Sequence, residues 1–161
     1  MGVILNKIDG KTVCGKVVTS FGRFLGADEY IVVNDTIMND DAQMALMNMS
    51  ITGGADFDVV KCSTYAKIFA DKDYYGTKTI IVFRYVQDVI ACMEQGVEIK
   101  ELNCAGIYKE NKENATVYAK NLVCTPEEVE LLKSLHAKGV HLTYQPTVQE
   151  KVEEVKDLIG F

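Results

Sequence analysis

Short apolar runs rich in β-branched residues recur along the chain and predict the strands of a sheet. Most of these runs are apolar throughout instead of alternating with polar residues, which is typical of strands covered on both faces in a parallel sheet. The predicted strands are residues 3–9, 30–33, 58–60, 79–83, 97–102 and 140–144.

Segments with helical spacing of apolar residues lie between and after these runs. The predicted helices are residues 17–25, 38–49, 65–70, 86–95, 126–138 and 148–159. The fifth has the clearest signals, because Thr125 is a good N-cap, Pro126 suits the first helical position and Gly139 suits the end. The last is predicted from apolar residues at positions 148, 152, 155, 158 and 159, which fall on one helical face.

Alternation of strands and helices predicts an α/β fold with right-handed crossovers. We expect a single domain over residues 1–161, with a mostly parallel central sheet flanked by helices on both faces. Ligands of such sheets bind beyond the carboxyl ends of the strands. The loops where chemistry is expected are therefore residues 9–15, 34–41, 62–64, 83–84 and 103–109.

Composition narrows the function classes. The chain has 161 residues, 48% of them hydrophobic, and a formal net charge of −6, which argues against a general nucleic-acid binder. No apolar run approaches the ~20 residues of a membrane span, and the first residues lack the apolar stretch of a signal peptide. The five cysteines form no C-x-x-C pair, which favours free thiols in a reducing cytoplasm over disulfides or a zinc site.

The loop after the first predicted strand carries the sharpest chemical signal. It reads Asp9-Gly10-Lys11-Thr12-Val13-Cys14-Gly15-Lys16, with a cysteine between two lysines and two glycines that permit close backbone approach. A helix starting nearby favours an anion at its N-terminus, and the same field lowers the pKa of a thiol. Cys14 is thus the cysteine with a reason to be nucleophilic, although a cysteine after a strand is more often a small buried hydrophobe.

Positive charge is concentrated in the segment that contains this loop. Residues 1–25 contain Lys7, Lys11, Lys16 and Arg23 against Asp9 alone, a balance of +3, which leaves −9 for the rest of the chain. The loop nevertheless fits neither the Walker A pattern nor the G-x-G-x-x-G fingerprint. A cysteine phosphatase is excluded as well, because its phosphate-binding arginine six residues after the cysteine is replaced by Ser20.

At this loop the chain resembles the IIB components of the mannose/fructose/sorbose family of the sugar phosphotransferase system. The first strand of that family ends in Asp-x-Arg-x-x-His-Gly-Gln, which matches Asp9, Lys11, Cys14, Gly15 and Lys16 here. The resemblance continues over nearly the whole chain, through residues 31–35, 80–83, 96–103, 105–106, 131–135 and 139–140.

The resemblance implies a cytoplasmic phosphocarrier without a metal or organic cofactor. Members of the family take a phosphoryl group from a IIA histidine and pass it to a sugar held by the membrane IIC/IID permease. Cys14 then stands in place of the phosphorylated histidine, Lys11 in place of the arginine and Lys16 in place of the glutamine. The phosphate cradle is expected from Gly10, Lys11, Gly15 and Lys16, with Asp9 orienting the loop. Family members often form dimers or larger complexes, so the resemblance leaves a homo-oligomer open.

Three interpretations of the missing histidine stay open at this point. In the first, Cys14 accepts phosphate and the chain is a working phosphotransferase. In the second, the chain is a degenerate paralogue that binds a IIA partner or acts in regulation. In the third, it is a thiol- or anion-binding module on the same fold.

The sequence also predicts roles for several other residues. Asn34, Asp35, Asp40 and Asp41 are expected to cap a helix instead of binding a metal, and residues 62–64 to cap the next one. The methionines of residues 38–49 are expected in the core. Arg84 is expected either to face the anion site or a partner, or to be a plain surface residue. Tyr108 and Lys109 fall in a loop that lies on the active-site side in the family that the chain resembles. Residues 109–120 are expected to form an exposed turn, and His136 and His141 to be structural or surface residues.

Overall fold

The fold is built on a seven-stranded sheet with the strand order β3-β2-β4-β1-β5-β8-β9. It is taken from a computed structural model that describes residues 1–13, 15–51, 53–74 and 78–161. The strands are β1 Val3–Ile8, β2 Glu29–Val33, β3 Asp56–Val60, β4 Thr79–Phe83, β5 Glu101–Asn103, β6 Thr116–Ala119, β7 Leu122–Cys124, β8 His141–Tyr144 and β9 Glu153–Glu154.

The strand pairings confirm the predicted mostly parallel α/β fold. Strands β3, β2, β4, β1, β5 and β8 pair in parallel, and only β9 runs antiparallel, against β8. Strands β6 and β7 form a separate antiparallel hairpin. Only β6 lies within residues 109–120, for which an exposed turn is predicted. Because β1 lies in the middle of the sheet, the loop that follows it emerges between the loops that follow β4 and β5.

Helices cover both faces of this sheet, as predicted. The α-helices are α1 Arg23–Leu25, α2 Asp41–Ser50, α3 Cys62–Ala70, α4 Val86–Glu94, α5 Pro126–Ala137 and α6 Val155–Ile159. Alternate strand residues point to opposite sides, so that Ile31 and Ile81 join the core under α3 to α6. Val32 and Val82 join a second core, under α2 and residues 17–22. Burial on both faces explains why these runs are apolar throughout.

Two helix starts are capped by the side chains that the sequence indicates. Thr125 accepts a hydrogen bond from the Glu128 backbone and Glu128 accepts one from the Thr125 backbone, a reciprocal capping box ahead of α5. Asp40 accepts from the Gln43 backbone at the start of α2. The prediction that residues 62–64 cap α3 is wrong, because the Cys62 amide donates to the carboxylate of Asp35 from the neighbouring loop.

The first predicted helix has an unexpected geometry. Val17–Gly22 is a π-helix, and only the three residues of α1 continue as α-helix. Its buried residues Val17, Val18, Phe21 and Gly22 are spaced i, i+1, i+4, i+5, which places them on one side of either type of helix. The apolar spacing therefore does not distinguish the two.

The predicted helix over residues 148–159 is wrong in its first half. Residues 153–154 form β9, and α6 begins only at Val155. Val148 packs against the core on one face of the sheet, whereas Val155 is buried in the core on the other. The apolar spacing that indicates one helical face is thus shared between two cores.

The predicted strand over residues 97–102 is shorter than expected. Only Glu101–Asn103 is strand, although Val97 and Ile99 are buried. Buried and exposed residues alternate through this segment as they do in a strand, so the sequence pattern does not show that the pairing with β8 begins only at Glu101.

The methionine prediction is correct only in part. Met47 is fully buried and Met38 and Met44 pack against the same core, but Met49 is 80% exposed at the end of α2. Within the described ranges, no helix has both the length and the hydropathy that a bilayer crossing needs.

Candidate functional site

Three loops meet at the carboxyl ends of β1, β4 and β5. The Asp9 amide donates to the Phe83 carbonyl oxygen at 2.9 Å, and the Gly10 amide donates to the Gly106 carbonyl oxygen at 2.9 Å. The start of the loop predicted to carry the chemistry is thereby fixed to both of its neighbours. Ala105 and Gly106 belong to the loop after β5, within residues 103–109, where the sequence also predicts chemistry.

A buried ion pair lies under this loop. The Lys7 ammonium is 3.8 Å from a carboxylate oxygen of Asp9 and donates to the Ala105 carbonyl oxygen, and the residue is 1% exposed. Burial lowers the pKa of Lys7 and raises the pKa of Asp9, and each group opposes the shift in the other. Lys7 therefore connects β1 to the loop after β5. The charge count in the sequence does not indicate this buried role.

Asp9 also organises the backbone of its own loop. One carboxylate oxygen accepts the Lys11 amide at 3.0 Å, and the Asp9 carbonyl oxygen accepts the Thr12 amide at 2.9 Å. Thr12 is buried and has a φ of +61°, and Gly15 has a φ of +55°. Gly15 suits this left-handed conformation because it has no Cβ.

A cleft of about 300 Å³ opens beside the loop. Four lysines and one aspartate line it, together with Gly15, Ala105, Tyr108, Asn121 and Pro146; the charged residues are Lys7, Asp9, Lys11, Lys16 and Lys120. Gly10 is not among the lining residues and lies behind the cleft, against Tyr108. A cleft with this excess of positive charge attracts a small anion such as a phosphoryl group.

Lys120 is the charged residue of this cleft that the sequence does not indicate. It lies in the turn between β6 and β7, where the Asn121 carbonyl oxygen accepts the amides of Gly106 and Ile107. Its proximity to Lys11 depends on this long-range contact between loops. Arg23, which contributes to the basic count of residues 1–25, does not line the cleft.

Cys14 lies outside the residues that the structure describes. The four described cysteines, Cys62, Cys92, Cys104 and Cys124, are free and buried, as expected for reduced thiols. Burial raises the pKa of all four, for Cys62 to about 11 and for Cys124 to about 12. These four thiols are therefore poor nucleophiles at neutral pH.

The acidic cluster after β2 has structural partners. Asn34 donates to the carboxylate of Asp88 and accepts from the amide of Ile37, which connects this loop to the start of α4. Within the described residues no group of three or more His, Cys, Asp or Glu side chains comes together as a metal site.

Arg84 lies at the same edge of the sheet but outside the cleft. Its guanidinium lies 5.0 Å from the ring centroid of Tyr85, and it lines a separate pocket of about 60 Å³. Ser63 is exposed in the first turn of α3 and does not line the cleft.

The two histidines have the structural or surface roles expected of them. The His136 ring packs edge-on against Phe161. His141 is half-exposed between the carboxylates of Glu101 and Glu154, and these hydrogen bonds raise its pKa.

The sequence of this chain matches a known protein family over residues 3–161, that of the sorbose subfamily IIB component of the phosphotransferase system (PTS). The chain belongs to this family. It is therefore a IIB phosphocarrier of the mannose/sorbose type. Family membership implies interaction with the IIA and IIC/IID components of the same system.

Individual relatives cover almost the whole chain of this IIB component. It is 26% identical over 159 residues to the fructose-specific EIIB component of Bacillus subtilis, covering 99% of this chain and 96% of the relative. It is 24% identical over 161 residues to the sorbose-specific EIIB component of Klebsiella pneumoniae, with the same coverage. It matches the mannose-specific EIIAB component of Escherichia coli at 25% identity over about half of that longer protein.

Solved structures agree with the fold of this IIB component. One described as belonging to the phosphoenolpyruvate-dependent phosphotransferase system superposes with a TM-score of 0.88 at 26% identity, covering 99% of this chain and 98% of the other. The IIBSor domain of the sorbose permease from Klebsiella pneumoniae superposes with a TM-score of 0.87 at 22% identity, covering 99% and 96%.

Proposed function

We propose that Cys14 is the phosphoryl acceptor of this IIB component. Asp9, Gly10, Lys11, Gly15 and Lys16 form the loop that holds the phosphoryl group. The observation that carries the proposal is the lysine-lined cleft beside residues 9–16, at the edge of the sheet where ligands of such folds bind. The domain extends over residues 1–161 and acts in the cytoplasm.

The proposed transfer has two displacement steps. In the first, the Cys14 thiolate attacks the phosphorus of a phosphohistidine on the IIA protein. The S–P bond forms, the P–N bond breaks and the imidazole leaves with the electron pair and takes a proton. In the second, a sugar hydroxyl at the IIC/IID permease attacks the same phosphorus, the S–P bond breaks and the hydroxyl proton passes to solvent.

The lysines supply electrostatic stabilisation in both steps. Negative charge spreads over three phosphoryl oxygens during transfer. Lysine ammonium groups stabilise this charge more strongly in a partly enclosed cleft than in open water. Lys11 keeps the charge of the family's arginine but loses the planar fork that binds two oxygens together. We propose that Lys120 adds an ammonium from a second loop.

The donor is a IIA protein, and the acceptor side is the IIC/IID permease. The name of the mannose-specific relative, EIIAB, combines the A and B components in one chain. Relatives of similar identity are named for fructose, sorbose, mannose and N-acetylgalactosamine. This range of sugars is expected if sugar selectivity resides in the membrane component.

The test is phosphorylation of the intact chain by the general enzymes of the system and a cognate IIA protein. We expect the mass of one phosphate on the wild type, stable in acid and released by iodine, as a thiophosphate is. Cys14→Ser should lose this iodine-labile phosphate, whereas the control Cys62→Ala should keep it. No added phosphate on the wild type, under conditions that label a histidine-bearing relative, contradicts the proposal.

The alternatives predict different results in the same experiment. A IIA protein that binds the chain without transferring phosphate indicates a binding or regulatory paralogue. A reactive Cys14 thiol without affinity for IIA indicates a thiol- or anion-binding module.

A further inference from the structure

Tyr108 forms the wall between two neighbouring cavities. On one side it lines the lysine cleft of about 300 Å³, and on the other it lines the pocket of about 60 Å³ that contains Arg84. The residue is half-buried in the loop after β5. Its neighbour Gly106 accepts a hydrogen bond from the Gly10 amide, so Tyr108 is held close to the loop of residues 9–16.

The ring and the hydroxyl of Tyr108 make different contacts with this loop. The Lys11 ammonium lies 4.6 Å from the ring centroid, within the range of a cation–π interaction. The hydroxyl donates to a carboxylate oxygen of Asp9 at 3.4 Å. The ring edge also packs against Gly10, where an added Cβ would lie 3.3 Å from the ring carbon Cδ2.

We propose that Tyr108 is a positioning residue for phosphoryl transfer, which fixes the Lys11 ammonium at the cleft and orients the Asp9 carboxylate. This inference rests on the proposed function of residues 9–16 in binding the phosphoryl group. Tyr108 touches the residues that hold the phosphoryl group and takes no part in bond making.

A lysine at position 11 makes such positioning useful. The lysine side chain is flexible and carries a point charge, so it loses conformational entropy whenever it is held in one place. An aromatic face that already holds the ammonium reduces the entropy loss on phosphate binding. The hydroxyl contact acts on Asp9, whose other oxygen accepts the Lys11 amide, so both contacts converge on the same turn.

Two substitutions separate the roles of ring and hydroxyl. Tyr108→Phe keeps the aromatic face and removes the hydroxyl, whereas Tyr108→Leu removes both. Tyr85 supplies the matched control, because Arg84 lies over its ring while Tyr85 does not line the lysine cleft. Tyr85→Phe and Tyr85→Leu therefore alter a similar contact outside the proposed site.

Phosphate binding and transfer test the ring. The dissociation constant of inorganic phosphate is measured from the NMR shift of the Lys11 amide, and the transfer rate from phosphorylated IIA. We expect Tyr108→Leu to weaken binding and slow transfer by about threefold to fivefold, and Tyr108→Phe to remain within about twofold of the wild type. The Tyr85 variants should match the wild type in both measurements.

The pKa of Asp9 tests the hydroxyl. Because the phenol donates to the carboxylate, it lowers the Asp9 pKa against the larger effect of burial. Both Tyr108 variants should therefore raise the Asp9 pKa, followed by carbon NMR of the side chain, and the Tyr85 variants should leave it unchanged. A general loss of stability does not produce this pattern.

The outcomes separate this inference from the proposed function. If Tyr108→Leu transfers phosphate at the wild-type rate and binds inorganic phosphate with unchanged affinity, the proposed role of the ring is wrong. If the Asp9 pKa is unchanged in Tyr108→Phe, the proposed role of the hydroxyl is wrong. If the wild type neither binds nor accepts phosphate but the Asp9 pKa rises in Tyr108→Phe, the proposed function fails while the orientation of Asp9 by Tyr108 is supported.

Discussion

Lys7 and Asp9 form an ion pair inside the protein, with 3.8 Å between the ammonium and the nearer carboxylate oxygen. They are two residues apart on β1 and its loop, so both side chains point to the same side of the strand. Both residues line the lysine cleft, and Asp9 also accepts the Lys11 amide of the loop that follows β1.

Lys7→Met tests the contribution of this pair to stability. The substitution removes the cation and leaves the Asp9 carboxylate buried, so we expect a loss of about 3 kcal/mol in the free energy of unfolding in urea. Adding Asp9→Asn to Lys7→Met should cost less than Asp9→Asn costs in the wild type, because the unpaired charge is removed. Strictly additive costs in this double-mutant cycle would argue against a coupled pair.

Gly106→Ala tests the close contact between the loops after β1 and β5. A Cβ at this position would overlap the Ile8 carbonyl oxygen and lie 2.8 Å from the Asp9 Cα. We expect a destabilisation of about 2–3 kcal/mol and shifted NMR signals from the Gly10 amide. The control Gly96→Ala meets no atom within 4 Å and has only the cost of a left-handed φ of +94°, about 1–2 kcal/mol.

Thiol alkylation should distinguish Cys14 from the other cysteines. The other four are buried with raised pKa values, so we expect one rapidly modified thiol in the native chain and five in the denatured chain. Cys14→Ser should abolish the rapid modification, as measured by intact mass after brief treatment with iodoacetamide. Rapid modification that persists in Cys14→Ser would assign it to another cysteine.

Lys120→Gln tests the fourth lysine of the cleft. Removing one ammonium near the phosphoryl group should slow transfer from phosphorylated IIA about fivefold at low salt, and less at high salt, where charges are screened. Lys100→Gln is the control, since Lys100 is exposed next to Glu98 and does not line the cleft. Equal effects of the two substitutions would mean that Lys120 acts only through the overall charge of the protein.

His141 should make stability depend on pH. Its pKa is raised in the folded state by hydrogen bonds to Glu154 and Glu101, so its stabilisation is fully present below the unfolded value of about 6.5. The stabilisation is lost as the pH rises through the folded value. We therefore expect His141→Gln to be less stable than the wild type at about pH 6, and the difference to shrink at about pH 8.5, in urea unfolding experiments. A constant difference at both values would exclude this linkage.

The sequence by itself determined the fold class and the position of the candidate loop. Uninterrupted apolar runs such as Ile31–Val33 indicate strands buried on both faces, and strong local signals such as Thr125 and Pro126 fix a helix start. The apolar runs and the helix-start signals each involve residues that are adjacent in the chain, so they can be recognised in the sequence alone. The motif of Asp9, Lys11 and Gly15 likewise lies within a few residues.

Only the tertiary structure decided which residues share the cleft. Lys120 and Tyr108 reach residues 9–16 through contacts across about a hundred positions, and Lys7 is a buried member of an ion pair instead of a surface charge. The error in the first half of the helix predicted over residues 148–159 has the same origin, since Val148 and Val155 pack into different cores. Periodicity records that a side chain is buried, but the partner against which it packs is set by how distant segments fold together.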